Sequence, residues 1–337
     1  MSEPAAVLAG LGAHVPPRTV TNEELSRRMD TSDAWIVQRT GIRQRHWADP
    51  GVATSDLAVE AGHRALKSAG TAGPDDIGMV IVATATPDTQ CPATAPDVAA
   101  RLGLGTIAAL DVSAGCSGFV YALATASAAL VAGYAERVLV IGAETFRPFL
   151  DPADRSTAVI FGDGAGAVVL RRGTADEPGA IVSVDLGADG TLKELVGIPG
   201  NGSRHRSTDR PPDPADQYLF MHGKEVFVHA VRRMAQSSSA VLAQAGWSVG
   251  QVDHVVGHQA NLRILHALAK QLGVDGERLV RHLDQVGNTS AASIPLALAD
   301  AAAQGRFQAG DRLLLTAFGA GLTWGSVALT WPGIALA

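Results

Sequence analysis

Residues 107–132 read I-A-A-L-D-V-S-A-G-C-S-G-F-V-Y-A-L-A-T-A-S-A-A-L-V-A, and this stretch decides the fold. Its first seven residues form a short apolar run suited to a buried strand. A glycine-flanked cysteine follows, and from 117 to 132 the composition turns Ala-rich and helical. No charged residue occurs between Val112 and Ala135, a length sufficient to cross a bilayer. The segment is dominated by Ala, Ser, Gly and Thr, however, and opens with a loop-like Ser-Ala-Gly. A fully buried core helix is therefore expected.

Working outward, the same alternation recurs. Residues 78–84 (GMVIVAT), 137–142 (RVLVIG) and 166–170 (GAVVL) are further candidate strands, with helical stretches near 55–69 and 92–102. In the second half, 252–259 (VDHVVGHQ), 312–319 (RLLLTAFG) and 326–331 (SVALTW) read as strands, and 224–245, 261–272 and 291–304 as helices. The polar, Pro-rich run at 200–216 reads as a surface loop. Alternation of this kind implies a layered α/β protein. Two α/β halves, 1–173 and 174–337, suggest a pseudo-duplicated fold, although they share no obvious sequence repeat.

The 337-residue chain is 47% apolar and 18% charged, as in a soluble globular protein. A net charge of -6 excludes a whole-molecule basic field for nucleic acid. The N-terminus lacks a basic n-region and apolar h-region, so a cytoplasmic location with no membrane attachment is expected. Positive charge is nearly all arginine, since the lysines are only Lys67, Lys193, Lys224 and Lys270. Two cysteines, Cys91 and Cys116, make no disulfide scaffold at this length, though their pairing with each other stays open. No metal-ligand spacing appears. G-D-G-A-G at 162–166 is close to a dinucleotide loop, but a strand rather than a helix follows it, so that fingerprint fails.

Three positions could carry chemistry. Cys116 precedes a helix, whose positive end should lower the thiol pKa and favour thiolate. A buried, inert cysteine is the competing reading. His258 opens H-Q-A-N where a strand ends and a helix begins, the edge at which α/β sites are built. Asn288, in V-G-N-T-S-A-A-S-I-P, follows an expected strand and on its own would read as a helix cap. The small residues of F-G-A-G-L-T-W-G at 318–325 could aim backbone amides at a substrate oxygen or simply make a tight turn.

Taken together these stretches resemble β-ketoacyl-acyl carrier protein synthase III, a thiolase-fold condensing enzyme. The resemblance runs through T-S-D-A-W-I-V-Q-R-T-G-I-R at 31–43, the Cys116 loop and D-P-A-D-R-S-T-A-V-I-F-G-D-G-A-G at 151–166. It continues through H-Q-A-N-L-R-I at 258–264, G-N-T-S-A-A-S-I-P at 287–295 and the terminal glycine-rich motif. It implies a five-layer αβαβα architecture of two pseudo-duplicated halves, assembled as a homodimer. Cys116 would take an acyl group from acyl-CoA, a substrate rather than a cofactor, and no cofactor or metal is implied. Malonyl-acyl carrier protein would follow, with His258 and Asn288 stabilising the enolate formed as CO2 leaves. Backbone amides of Cys116 and Ala320 would hold the oxyanion, and Phe318 would keep water from the carboxylate.

The resemblance also implies a CoA site. Trp35 would stack on adenine, with Arg39 and Arg155 near the nucleotide and phosphates and Asn261 near the pantetheine arm. Arg263 and Lys270 would dock the acidic carrier protein, unless they are a plain solvated helix face. Departures concern substrate. Cys91 replaces a phenylalanine that closes the primer pocket across the dimer, which would deepen the pocket. Phe146 replaces a leucine and could narrow another wall, and Lys224 replaces an asparagine near the pantetheine. Fatty acid and polyketide initiation share this chemistry, and a plain acyltransferase of the same fold is an alternative. Hydroxymethylglutaryl-CoA synthases need a glutamate and thiolases a second cysteine, and neither pattern fits. A non-catalytic acyl-carrier-binding partner usually lacks the nucleophile that this chain keeps.

Overall fold

Side chains alternate across a strand, so a strand buried on both faces feeds two different layers. The computed structural model, which describes residues 3–71, 76–200, 202–208, 211 and 213–334, uses this throughout. One sheet contains β1 (Pro4–His14), β2 (Met79–Ala83), β3 (Ala108–Val112), β4 (Arg137–Glu144) and β5 (Gly164–Thr174), in the order β1–β5–β4–β2–β3. The other contains β6 (Ile181–Ala188), β7 (His254–Gly257), β8 (Arg312–Gly319) and β9 (Thr323–Thr330), in the order β7–β8–β9–β6. The main helices are α1 (Asp33–Thr40), α2 (Thr54–Ser68), α3 (Thr94–Arg101), α4 (Gly118–Val131), α5 (Gly223–Gln244), α6 (Leu262–Leu272) and α7 (Ser293–Ala303).

The run β1–β5–β4–β2 has the pairing antiparallel, antiparallel, parallel. The run β6–β9–β8–β7 has the same pairing in the same sequence. The duplication absent from the amino acids is thus present in the topology. The boundary expected at 173/174 falls in the last residue pair of β5.

On β2, Ile81 and Ala83 pack with Phe119 and Leu123 of α4, while Val80 and Val82 pack with Leu57 and Ala61 of α2. On β8, Leu313, Leu315 and Ala317 join Ile294 and Leu298 of α7, and Leu314 turns to Val241 and Leu265 of α5 and α6. The layers are therefore α2/α3, sheet, α4/α7, sheet, α5/α6. Each fully buried Leu, Ile or Phe contributes about 1.5–3 kcal/mol, so the central layer is the main store of stability.

Several expectations need correction. α4 is not fully buried: Thr125, Ala128 and Val131 are exposed, because one face of its second half meets no sheet. The segment before Asn288 is a helical turn, Leu283–Val286, not a strand. Leu283 and Val286 are buried three residues apart, which is helical spacing. β1 and β6 were not anticipated. β1 is Ala- and Gly-rich with buried residues on both faces, so no alternation marks it. Within 200–216 a turn of helix spans Ser203–Arg206 and a 3-10 turn spans Pro214–Gln217, and positions 201, 209, 210 and 212 lie outside the described residues. Among the described residues no helix is long and apolar enough to cross a membrane.

The turn before α7 lies on β4 with no room for side chains between them. A Cβ on Gly142 would stand 2.4 Å from the carbonyl oxygen of Ala291. Gly142→Ala is expected to cost about 1–3 kcal/mol, read as a lower urea midpoint with an unchanged slope. An unaltered midpoint would show that this approach is not tight.

Candidate active site

Gly115–Ser117 forms a single 3-10 turn between β3 and α4, and Cys116 is its middle residue. Two glycines let the halves of the chain touch there. Gly115 has φ +52°, and a Cβ on it would lie 2.7 Å from the Ala320 nitrogen. A Cβ on Gly319 would lie 2.6 Å from the Cys116 nitrogen. Thr323 Oγ1 fastens the contact, 2.8 Å from both Ser117 Oγ and the Ala114 carbonyl and 2.9 Å from the Ala320 carbonyl. This packing sets the backbone nitrogens of Cys116 and Ala320 at the contact between the two turns.

The thiol itself departs from expectation. Burial pushes the Cys116 pKa up to about 12, and the Glu144 carboxylate adds to the rise. Hydrogen bonding with the Ser290 side chain and with the Cys116 amide opposes this without cancelling it. Desolvation of a sulfur anion outweighs the dipole of the helix it precedes. The resting group is a thiol, not the thiolate read from the sequence. Cys91 is also free, and it is exposed, so the two cysteines do not pair.

One turn connects Cys116 to the other two expected residues. Asn288 Oδ1 accepts from the Ser290 amide at 2.8 Å, while Ser290 Oγ contacts the Cys116 thiol. Asn288 is not the helix cap that it reads as on its own, since Thr289 and Ala292 hold the cap positions of the 3-10 turn and of α7. Among the described residues its Nδ2 has no recorded partner and remains a donor. His258 follows the last residue of β7, with its amide on the Thr316 carbonyl at 2.8 Å and its Nδ1 2.7 Å from Ser293 Oγ. Ser293 Oγ already accepts from the Gln259 amide, at 3.3 Å. Ser293 can donate its own proton to Nδ1, and with that assignment the imidazole proton sits on Nε2. Burial lowers the His258 pKa to about 3, so the ring is neutral.

Ser290 is buried with φ +48°, a left-handed conformation that costs a non-glycine residue about 1–3 kcal/mol. Such strain persists where the surroundings hold it, and here they are Glu144, Asn288 and Cys116. Phe318 is buried on the outer face of β8 with Met234, Leu268 and Leu322. Phe146 is buried too, its ring 4.8 Å from that of Phe161.

The expected CoA positions meet in a separate surface cleft of 490 Å³, lined by Trp35, Arg39, Arg155, Lys224, Asn261 and Arg263 among others. The guanidiniums of Arg39 and Arg155 each stand 5.2 Å from the Trp35 ring centroid. Arg155 also donates to the Asp30 carbonyl at 2.6 Å. Asn261 caps α6 through Oδ1, and its Nδ2 donates to the Arg39 carbonyl at 3.1 Å. It stands three residues from His258 in the chain. Arg263 and Lys270 lie on the exposed face of α6, with His266 between them. Cys91 is not brought to this cleft or to Cys116. It sits on an exposed loop before α3.

Residues 110–190 match 3-oxoacyl-[acyl-carrier-protein (ACP)] synthase III, and residues 242–331 match that family's C-terminal part. The β-ketoacyl-[acyl-carrier-protein] synthase III 5 of Streptomyces coelicolor is 62% identical over 330 residues, 98% of each chain. The chain belongs to the β-ketoacyl-[acyl-carrier-protein] synthase III family. It is a condensing enzyme with the thiolase-type fold. The crystal structure of the synthase III from Pseudomonas aeruginosa superposes with a TM-score of 0.92 at 49% identity, covering 98% of this chain and 99% of that one. The priming β-ketosynthase of the R1128 polyketide pathway gives 0.90 at 36% identity, covering 98% of both.

Three residues of this synthase escaped the sequence reading. Ser290 and Ser293 lay inside a quoted motif, but nothing in their chemistry marked them as the supports of Cys116 and His258. Glu144 did carry a signal, being a lone carboxylate at the end of the apolar run R-V-L-V-I-G-A-E. For His258, a neutral ring held well below the usual range should show no titration in 15N-histidine spectra between pH 8 and 5. Stability from this group is complete above pH 6.5. It falls by about 1.4 kcal/mol per pH unit below that, because only the unfolded ring binds a proton. A His258 transition near pH 6.5 would contradict the assignment.

Proposed function

We propose that Cys116 accepts an acyl group from acyl-CoA and that the acyl-enzyme then condenses with malonyl-acyl carrier protein, starting a fatty acid or polyketide chain. The sulfur attacks the acyl carbonyl and CoA leaves. Malonyl thioester binds, its carbonyl facing the Nε2–H of His258 and the Nδ2 of Asn288. Two neutral donors in a dry site stabilise the enolate as CO2 departs. The enolate carbon attacks the acyl carbonyl, and the amides of Cys116 and Ala320 hold the oxyanion. Phe318, on the apolar face of β8, keeps water from the carboxylate. Acyl-CoA is a substrate here, and the chemistry calls on no cofactor.

The observation that carries this reading is the 288–293 turn, which reaches Cys116 through Ser290, fixes the Asn288 amide and holds the His258 ring through Ser293. The cleft at Trp35 supports CoA: adenine fits against the indole, and Arg39, Arg155 and Lys224 supply charge for phosphates. Arg263 and Lys270 offer the acidic carrier protein a cationic face beside that cleft. A homodimer is part of the proposal, and β3, the free edge of the first sheet, offers backbone groups to a second copy. Cys91 and Phe146 bear on the primer: the first removes bulk at the surface, the second fills a buried wall.

Purified His258→Ala and Asn288→Ala variants test the division of labour. Each should still release CoA from acyl-CoA in a single turnover, while malonyl decarboxylation falls about 10²–10³-fold. Unchanged condensation in both would refute the roles. Trp35→Ala should raise the KM for acyl-CoA about tenfold with kcat little altered, and an unchanged KM would remove CoA from that cleft.

A further inference from the structure

The proposed first half-reaction must take a proton from the Cys116 thiol, and the second must give one back. The structure places one buried acid beside that thiol. Glu144 ends β4 with none of its surface exposed. Its carboxylate accepts from Thr86 Oγ1 at 2.8 Å, Ser290 Oγ at 2.9 Å and Thr84 Oγ1 at 3.2 Å. The amides of Ala85, at 3.1 Å, and Ala291, at 3.4 Å, complete the set. These groups come from the turn after β2 and the turn before α7, and the nucleophile loop contributes the Cys116 thiol. Among the described residues no Lys, Arg or His pairs with Glu144. A carboxyl group buried without a cation is costly to hold ionised, so its position against the nucleophile calls for a role.

Ser290 stands between the two. Its single proton goes to Glu144 Oε1 at 2.9 Å, which leaves the hydroxyl oxygen to accept from the thiol of the Cys116 turn packed against it, and the backbone that presents it is left-handed. We propose that Glu144, acting through the Ser290 hydroxyl, accepts the Cys116 proton during acylation, stores it, and returns it after condensation. This rests on Cys116 being the acyl acceptor. Glu144 touches no substrate and is a positioning residue for the proton.

The steps balance. As sulfur bonds to the acyl carbon, the S–H proton passes to Ser290 Oγ and the Ser290 proton passes to Glu144, which becomes a carboxylic acid. The bond between acyl carbon and CoA sulfur breaks, and CoA leaves as thiolate to take a proton from solvent. In the second half the enolate carbon bonds to the acyl carbon and the bond to Cys116 breaks. The released thiolate takes the Ser290 proton, which Glu144 replaces, restoring the carboxylate. Burial raises the Glu144 pKa to about 7, so it can both take and release a proton near neutrality. His258, with its Nδ1 occupied by Ser293, stays a donor.

The test is single-turnover CoA release from acyl-CoA by the full-length wild type and by Glu144→Gln and Glu144→Asp, from pH 5 to 9. The wild-type rate should rise through a transition near pH 7 and level off, since the carboxylate form is the acceptor. Glu144→Gln should lose the transition and at least 10²-fold in rate at an unchanged melting temperature, and Glu144→Asp should restore the transition. A Glu144→Gln variant with the wild-type transition and rate would overturn the proposal. Should that variant not fold, Ser290→Gly decides, because glycine accepts the left-handed backbone and only the hydroxyl is lost. It should lose the transition as well, and retention would overturn the relay. If the wild type releases no CoA, the reading of Cys116 fails, which is a separate result from a transition that survives Glu144→Gln.

Discussion

Two polypeptide turns from opposite halves of the chain meet backbone to backbone, and the rest of the molecule is arranged around that contact. Gly115 against Ala320 and Gly319 against Cys116 leave no space for a Cβ on either glycine. The contact is possible because the central helices, α4 and α7, begin at the same place between the two sheets. Gly142 under Ala291 and Gly166 under Pro295 repeat the device where the start of α7 meets the first sheet. Gly115 and Gly319 give up side-chain packing to bring the Ala320 and Cys116 nitrogens to the contact, and Gly142 and Gly166 do so to seat the start of α7. The candidate site is thus a product of layer packing, not of a flexible loop.

The site so formed is largely shielded from water, and its thiol and imidazole are neutral for that reason. Burial raises the Cys116 thiol and lowers the His258 ring, each toward its uncharged form. Formal charge gathers instead at the mouth, where Arg39, Arg155, Lys224 and Arg263 surround Trp35. The division suits a reaction whose substrates carry phosphates at one end and a thioester at the other. On the proposed assignment anions would be recognised in water, and the enolate and oxyanion would develop where dipoles are strongest.

Much of this was legible in the sequence. Apolar runs located most of the strands, and the order of the motifs around Cys116, His258 and Asn288 led to residues that the fold does bring together. What escaped has identifiable causes. β1 hid because Ala and Gly on both faces give no alternation. The turn Leu283–Val286 reads as a strand in the sequence because a single helical turn is too short for its period to show. Arg45 looks like any surface charge in I-R-Q-R-H, yet it is wholly buried. It donates to Asn22 Oδ1 at 2.8 Å and the Val159 carbonyl at 2.7 Å, and its Cβ lies 3.1 Å from where Gly162 or Gly287 would carry one. The ionisation of Cys116 was misjudged because a sequence reports the helix that follows a thiol but not how much water reaches it.

The central claim is that Cys116 carries the acyl chain. Incubation with radiolabelled acyl-CoA, followed by proteolysis and peptide mapping, addresses it directly. The account predicts about one equivalent of thioester-linked label, confined to the peptide that contains Cys116. Label on the Cys91 peptide, or no bound label at all while CoA is released, would contradict it.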